Sequence, residues 1–150
     1  MASRRGFTVI ELVIVILIGS ILAGIVSLAL AGTLQRTSLD QSRRMLETMV
    51  SRTRAQAIQE GERIELQLNS GANTVSVVRT SDGAVLETYD FREELDINLD
   101  VGGGNEVLCM GPNGVADFGC GTVPITGSLY PYSTPDETYA FTITAGGTII

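Results

Sequence analysis

The sequence predicts an α+β fold in which one long N-terminal helix, transmembrane in its first half, packs its second half on an antiparallel β-sheet head. Three patterns along the chain predict this fold. Residues 12–34 form a run of 23 residues without a single charge. Residues 35–60 continue with a helical period and contain neither proline nor glycine. From Glu62 onward the apolar residues recur with a period of two, which is typical of strands.

The uncharged run is long enough to cross a bilayer as a helix. Its 23 residues span about 35 Å at about 1.5 Å per residue, against about 30 Å for the hydrocarbon core. A secretory signal peptide has a shorter apolar core and then a small-residue cleavage site, which does not fit. A buried helix of a soluble protein does not fit either, because every face of the run is apolar. A plain signal anchor fits the length but gives no reason for Glu11, a lone carboxylate where the run begins.

The residues around Glu11 resemble a known family. Residues 6–12 read GFTVIEL, which is similar to the processing site and helix start of type IV pilins and type II secretion pseudopilins. The resemblance implies that residues 1–6 are a prepilin leader, that a prepilin peptidase cuts between Gly6 and Phe7, and that Phe7 is then N-methylated. It also implies that Glu11 serves assembly and that residues 7–34 are the transmembrane and filament-core half of the helix.

The chemistry of Glu11 gives a physical reason for a role in assembly. An isolated carboxylate in hydrocarbon costs at least about 2.5–3.5 kcal/mol, so such a residue indicates a site whose partner has to be found. Once the leader is removed, Phe7 carries a positive amine, and the amine of a neighbouring subunit can pair with Glu11. Because this pair forms only in the right axial register, we expect it to select the geometry of assembly as well as its strength.

Charge is distributed unevenly along the chain. Arg4 and Arg5 precede the apolar run, which by the positive-inside tendency places the N-terminus in the cytoplasm and the head, residues 61–150, outside the inner membrane. The resemblance implies that this compartment is the periplasm. The head holds 13 carboxylates against three arginines, a formal charge of −10. An acidic head repels phosphate backbones, so direct nucleic-acid binding is disfavoured. The chain has no lysine and no histidine, and we expect no catalytic constellation, metal site or cofactor.

Both cysteines, Cys109 and Cys120, belong to the head. In an oxidising compartment, two cysteines separated by 11 positions suggest one disulfide. Closing a loop of that size stabilises a fold by about 2–3 kcal/mol on the chain-entropy account. Two free buried thiols remain the alternative. A zinc site fits less well, because the chain offers only these two sulfurs and no histidine.

Residues 35–60 are predicted to be the amphipathic half of a helix that runs from about Phe7 to Gln59, about 80 Å in length. Gly61 is the expected stop, in the position of a left-handed cap. One face is apolar and is expected to cover the sheet, through Leu39, Leu46, Met49, Val50, Ala57 and Ile58. Arginines mostly occupy the remaining surface, at Arg36, Arg43, Arg44, Arg52 and Arg54.

Four strands are predicted next, as an antiparallel meander with one face for the helix. Turns are expected at residues 69–73 and 81–83, which are rich in Asn, Ser and Gly. The strands are expected at Ile64–Leu68, Val75–Val77, Val85–Phe91 and Leu95–Val101.

The C-terminal part of the head is less regular. Three glycines at 102–104 are expected to interrupt the regular secondary structure before a short apolar run at 107–108. Residues 122–138 contain three prolines and are expected to form an exposed loop. Residues 139–143 alternate as a last strand, and residues 148–150 can return beside it after a glycine turn.

The end of the helix resembles that of H-type minor pseudopilins, the GspH/FimT family. Their Arg-x-x-Ala-Ile-x-x-Gly pattern is matched by Arg54, Ala57, Ile58 and Gly61. The resemblance implies a structural, non-enzymatic minor pseudopilin of a type II secretion system or a closely related type IV pilus. Such a subunit sits in the bacterial inner membrane and joins a periplasmic filament near its tip. Its implied partners are the prepilin peptidase, other pseudopilins or minor pilins, and secreted cargo.

Two alternatives stay open on the sequence. A major pilin shares the same N-terminal segment, so the segment does not separate major from minor subunits. A competence-type minor pilin that captures DNA would need basic residues on its head or C-terminal tail. Residues 147–150 of this chain carry no charge.

Overall fold

The computed structural model of the protein describes residues 8–102, 104–133 and 137–150, apart from the side chains of residues 26–35. The predicted leader, residues 1–6, and the Gly6–Phe7 processing site lie outside the described residues. The chain divides into two compact units, Met1–Arg36 and Thr37–Ile150. Helix α1, Val9–Glu60, begins in the first unit and ends in the second.

In the first unit, every described side chain of α1 is exposed. The large apolar side chains between Val9 and Ile25 have exposed fractions of 49–81%. Among the residues whose side chains are described, no helix has both the length and the hydropathy of a membrane span. The predicted span, residues 7–34, lies partly outside those residues.

The second unit contains the end of α1 and the β-rich head. Within its described residues, one short helix and seven strands follow α1: β1 Ile64–Asn69, β2 Thr74–Arg79, β3 Val85–Asp90, α2 Phe91–Leu95, β4 Ile97–Val101, β5 Asn105–Met110, β6 Ile125–Pro131 and β7 Tyr139–Ile143. They form a four-stranded antiparallel sheet in the order β3-β2-β1-β5 and a three-stranded antiparallel sheet in the order β4-β6-β7. The predicted α+β class is confirmed, but the single four-strand meander is wrong, because β4 belongs to the second sheet.

The chain changes sheet at α2, where the sequence predicted only a junction between two strands. The carboxylate of Asp90 accepts hydrogen bonds from the backbone N–H groups of Arg92 and Glu93, both at 2.9 Å, and so caps a new helix. Asp96 then adopts a left-handed conformation with φ of 56° and ends that helix. The third predicted strand therefore ends at Asp90 instead of Phe91, and Phe91 is a fully buried helical residue.

The predicted loop at residues 122–138 contains a central strand. Within it, β6 pairs with β4 on one side and β7 on the other. Ile125 and Leu129 of β6 are buried in the core. Pro131 is the last residue of the strand, a position where the missing N–H costs little. The prediction of a loop was wrong here because Pro124 and Pro131, which suggested a loop, lie just before and at the end of a buried strand.

One hydrophobic cluster joins α1 to both sheets. Its largest fully buried side chains include Leu46 and Met49 of α1, Leu66 of β1, and Phe141 of β7. The predicted apolar face of α1 is confirmed except at Ile58, whose side chain is 51% exposed. The helix also buries two hydroxyls, at Ser42 and Thr53, and each donates a 2.8 Å hydrogen bond to the carbonyl four residues earlier. These bonds allow polar residues to face the core.

The turn between β1 and β2 links the two sheets. The β4 backbone N–H groups of Leu99 and Val101 donate to the Asn73 side-chain oxygen at 2.9 Å and to the Ser70 hydroxyl at 2.8 Å. The carbonyl of Asn73 also accepts from the N–H of Phe91 at 3.0 Å. Asn73 is buried and has φ of 57°, a left-handed conformation that asparagine adopts more easily than most residues.

We expect Asn73→Ala to lower the free energy of unfolding by about 2–4 kcal/mol, because Leu99 N–H loses its buried acceptor and alanine is strained at positive φ. Asn73→Gly relieves the backbone strain but not the lost hydrogen bond, and is expected to cost about 1–3 kcal/mol. Urea unfolding of the two variants, followed by tyrosine near-UV circular dichroism, separates the two contributions. Equal stabilities for both variants and the parent chain would contradict this role for Asn73.

Candidate assembly site

The described start of α1 is built around Thr8 and Glu11. The Glu11 carboxylate oxygen Oε2 accepts hydrogen bonds from the Thr8 backbone N–H and the Thr8 hydroxyl, both at 2.9 Å. In return, the Glu11 N–H donates to the Thr8 hydroxyl oxygen at 3.3 Å. This reciprocal pair is a capping box, which satisfies N–H groups that a helix start otherwise leaves without partners.

This local partner of Glu11 was not predicted from the sequence. The signal was present as Thr8-x-x-Glu11, a Thr and a Glu at the spacing of a capping box. Both bonds from Thr8 end on the same carboxylate oxygen, so among the described residues the other oxygen, Oε1, is available to a further donor. Glu11 is exposed. The site can therefore hold the carboxylate in place through its own helix start and present it to a cation from outside the chain.

The predicted disulfide is present in the head. Cys109 of β5 and Cys120 are bonded, with their Cα atoms 6.0 Å apart, so the alternative of two free thiols does not hold. Other contacts also attach the loop that they close to the rest of the head. The Arg63 guanidinium lies 2.5 Å from the Asp117 carboxylate, and the Ala116 N–H donates to the Ala145 carbonyl at 2.9 Å. The disulfide thus belongs to the packing of the head.

Arginine–carboxylate pairs neutralise part of the acidic head. Arg79 of β2 lies 2.8 Å from Glu60 at the end of α1 and 3.1 Å from Asp82. The hydrogen bond to Glu60, followed by that to Asp82, raises the pKa of the Arg79 guanidinium. In Asp82 the pKa of the carboxyl is lowered, chiefly by the hydrogen bond that it accepts from the Ala84 N–H. These pairs attach the end of the helix to the β2–β3 turn.

Comparison with known proteins supports the N-terminal motif and the fold separately. Residues 1–32 match the family described as the prokaryotic N-terminal methylation motif. This motif implies processing by a prepilin peptidase and is consistent with a place in the inner membrane or a pilus. No curated protein sequence matches the chain.

Two solved structures show the fold. The type IV minor pilin FimU of Pseudomonas aeruginosa strain PAO1 superposes with a TM-score of 0.60 and 18% identity, over 77% of this chain and 89% of FimU. The minor pseudopilin EpsH from the type 2 secretion system of Vibrio cholerae superposes with a TM-score of 0.57 and 17% identity, over 75% of this chain and 94% of EpsH. At these identities the likeness shows the pilin fold. The chain is thus a pilin-like protein with an N-terminal methylation motif.

Proposed function

We propose that this protein is a structural minor pseudopilin of a type II secretion system, or the equivalent subunit of a closely related type IV pilus. The observation that carries the proposal is the methylation motif at residues 1–32, with Glu11 in the first turn of the helix that follows. The pilin fold, shared with FimU and EpsH, supports it. Methylated Phe7, Glu11 and the helix carry assembly, and the head contacts other subunits near the filament tip.

The exposed apolar surface of α1 supports a partner outside the chain. The large apolar side chains between Val9 and Ile25 are all at least 49% exposed, and a surface of this kind in water would be a strong aggregation liability. In the proposed function, residues 7–34 are surrounded first by lipid and later by the helices of neighbouring subunits. Residues 35–60 and 61–150 then form the amphipathic half of the helix and the periplasmic head.

The membrane-bound form and the filament form differ in what surrounds Glu11. In the proposed filament, the N-methylated amine of a neighbouring Phe7 approaches the Glu11 oxygen that Thr8 leaves available. Each charge offsets the cost of burying the other, and the pair forms only at one axial offset between subunits. Assembly then gains both stability and register from a single contact.

We expect the mature protein purified from its native inner membrane to begin at Phe7 and to carry one methyl group on that amine. Intact-mass and N-terminal peptide mass spectrometry check both modifications. Gly6→Val is the matched control, and we expect it to retain residues 1–6, because the resemblance implies cleavage after the leader's final glycine. A parent chain that keeps its leader would refute the proposed function.

A further inference from the structure

The disulfide of the head has a carboxylate beside it. Glu65 of β1 is the cross-strand neighbour of Cys109 of β5, so both side chains leave the sheet on the same face. A carboxylate oxygen of Glu65 and the sulfurs of Cys109 and Cys120 all lie within 4.8 Å of one another. Because the two sulfurs are bonded to each other, they are not thiolate ligands for a metal. The group is therefore a disulfide with a negative charge next to it.

The carboxylate of Glu65 is held in place without being neutralised. The Gln67 side-chain nitrogen Nε2 donates to Glu65 Oε2 at 3.0 Å, and both residues are half-buried. Among the described residues, no arginine forms an ion pair with Glu65. Arg63, two residues earlier in the chain, pairs with Asp117 instead. The charge of Glu65 thus stays directed at the disulfide.

The backbone fixes the two sulfurs at this place and leaves one of them more accessible. The Asp117 N–H donates to the Cys109 carbonyl at 2.8 Å, and the Thr122 N–H donates to the Val107 carbonyl at 2.9 Å. These bonds attach the segment that contains Cys120 to β5. Cys109 is fully buried, whereas Cys120 is half-buried. A thiolate from solution therefore attacks the sulfur of Cys120.

We propose that Glu65 protects the Cys109–Cys120 disulfide against reduction by thiols, and most strongly against anionic thiols. In the first step a thiolate forms a bond to Cys120 Sγ, the bond between the two cysteines breaks, and its electron pair leaves on Cys109 Sγ. A second thiolate then attacks the mixed disulfide, releases Cys120 and leaves the reagent oxidised as its own disulfide. Both the incoming thiolate and the departing Cys109 thiolate bring negative charge close to Glu65, so repulsion opposes the first step.

A purely structural role for Glu65 predicts a different dependence on the reagent. If the side chain only stabilised the head, its loss would open the disulfide equally to every small thiol. Repulsion by a carboxylate depends instead on the charge of the reagent and on the ionic strength. The charge of the thiol therefore separates the two roles.

The test compares two thiols of opposite charge on the oxidised full-length chain in detergent. 2-Mercaptoethanesulfonate is anionic and cysteamine is cationic. Free cysteines are alkylated at successive times and counted by intact-mass spectrometry. We expect Glu65→Gln to be reduced about tenfold faster than the parent by 2-mercaptoethanesulfonate, and at most about threefold faster by cysteamine, whose ammonium group offsets the repulsion in the parent.

Two variants and one change of solvent serve as controls. Glu62→Gln removes the same formal charge from a carboxylate that accepts a 2.8 Å hydrogen bond from the Ser81 hydroxyl, and its reduction rates should stay within about twofold of the parent. Glu65→Asp keeps the charge and should remain within about threefold of the parent with the anionic thiol. Salt at about 1 M shortens the screening length to about 3 Å, so it should speed reduction of the parent by the anionic thiol and leave Glu65→Gln almost unchanged.

Each result decides for or against the protective role of Glu65. Selective acceleration of Glu65→Gln with the anionic thiol supports it. Equal acceleration with both thiols refutes it and indicates that Glu65 stabilises the head. Unchanged rates refute it as well. None of these results bears on the proposed function, which the processing of the N-terminus tests separately.

Discussion

A chain carrying Glu11→Val is expected to reach the inner membrane in normal amount and to be almost absent from filaments. Valine is tolerated in hydrocarbon, so insertion is unaffected. In the proposed filament, the amine of the neighbouring Phe7 then loses its counter-charge at a site where water is scarce. Breaking a buried ion pair in this way costs about 3–5 kcal/mol. At about 1.4 kcal/mol for each factor of ten, we expect incorporation to fall by about 100-fold or more.

Because Glu11 is also part of the capping box, the loss of its charge and the loss of the helix cap can be tested separately. Glu11→Gln can still cap the helix start, because either Glu or Gln serves at that position, but it removes the charge. Thr8→Ala keeps the charge and removes the cap, which costs about 1 kcal/mol of helix stability. If the charge matters, Glu11→Gln fails to assemble and Thr8→Ala assembles. Quantitative immunoblots of sheared filaments and of membrane fractions measure both. Normal incorporation of Glu11→Gln would show that Glu11 acts only as a capping residue.

Gly127→Ala is expected to be among the most destabilising small substitutions in the head. Gly127 lies in β6, opposite Val101 of β4 and Phe141 of β7. A Cβ at this position would lie 2.6 Å from the Asp100 carbonyl oxygen and 2.6 Å from Cζ of the Phe141 ring. Both neighbouring strands would have to move. Overpacking of this kind costs about 1–3 kcal/mol or more, which corresponds to a fall in Tm of about 5–20 °C for a head of this size.

Gly146→Ala is the matched control for that substitution. A Cβ at Gly146 would be no closer than 3.9 Å to the Thr144 hydroxyl, and the backbone there is not in the left-handed region. We expect Gly146→Ala to leave stability unchanged or to raise it by about 0.4–1 kcal/mol, because alanine restricts the unfolded chain. Thermal melts of the disulfide-bonded full chain in detergent compare the two variants. A Gly127→Ala melt that coincides with the parent would mean that the strand can shift to admit a methyl group.

Local signals in the sequence predicted helix α1 and its C-terminal end. The helix is predicted because 26 residues without proline or glycine follow an uncharged run, and Gly61 ends it with φ of 65° as expected of a left-handed cap. The buried positions of α1 follow from the 3.6-residue period, which depends only on neighbours within one helix. Ile58 is the exception: its Cδ1 lies against the position that a Cβ on Gly114 would occupy, yet half of its side chain remains exposed.

By itself, the sequence determined the fold class and the helix, because each depends on residue type and spacing along the chain. The tertiary structure alone decided which strands pair. The change of sheet after β3 depends on Asp90 capping α2 and on Asn73 accepting a hydrogen bond from Leu99, 26 positions away. A strand makes its ladder hydrogen bonds with other strands, which can be distant in sequence, so a period of two can indicate a strand but not its neighbours.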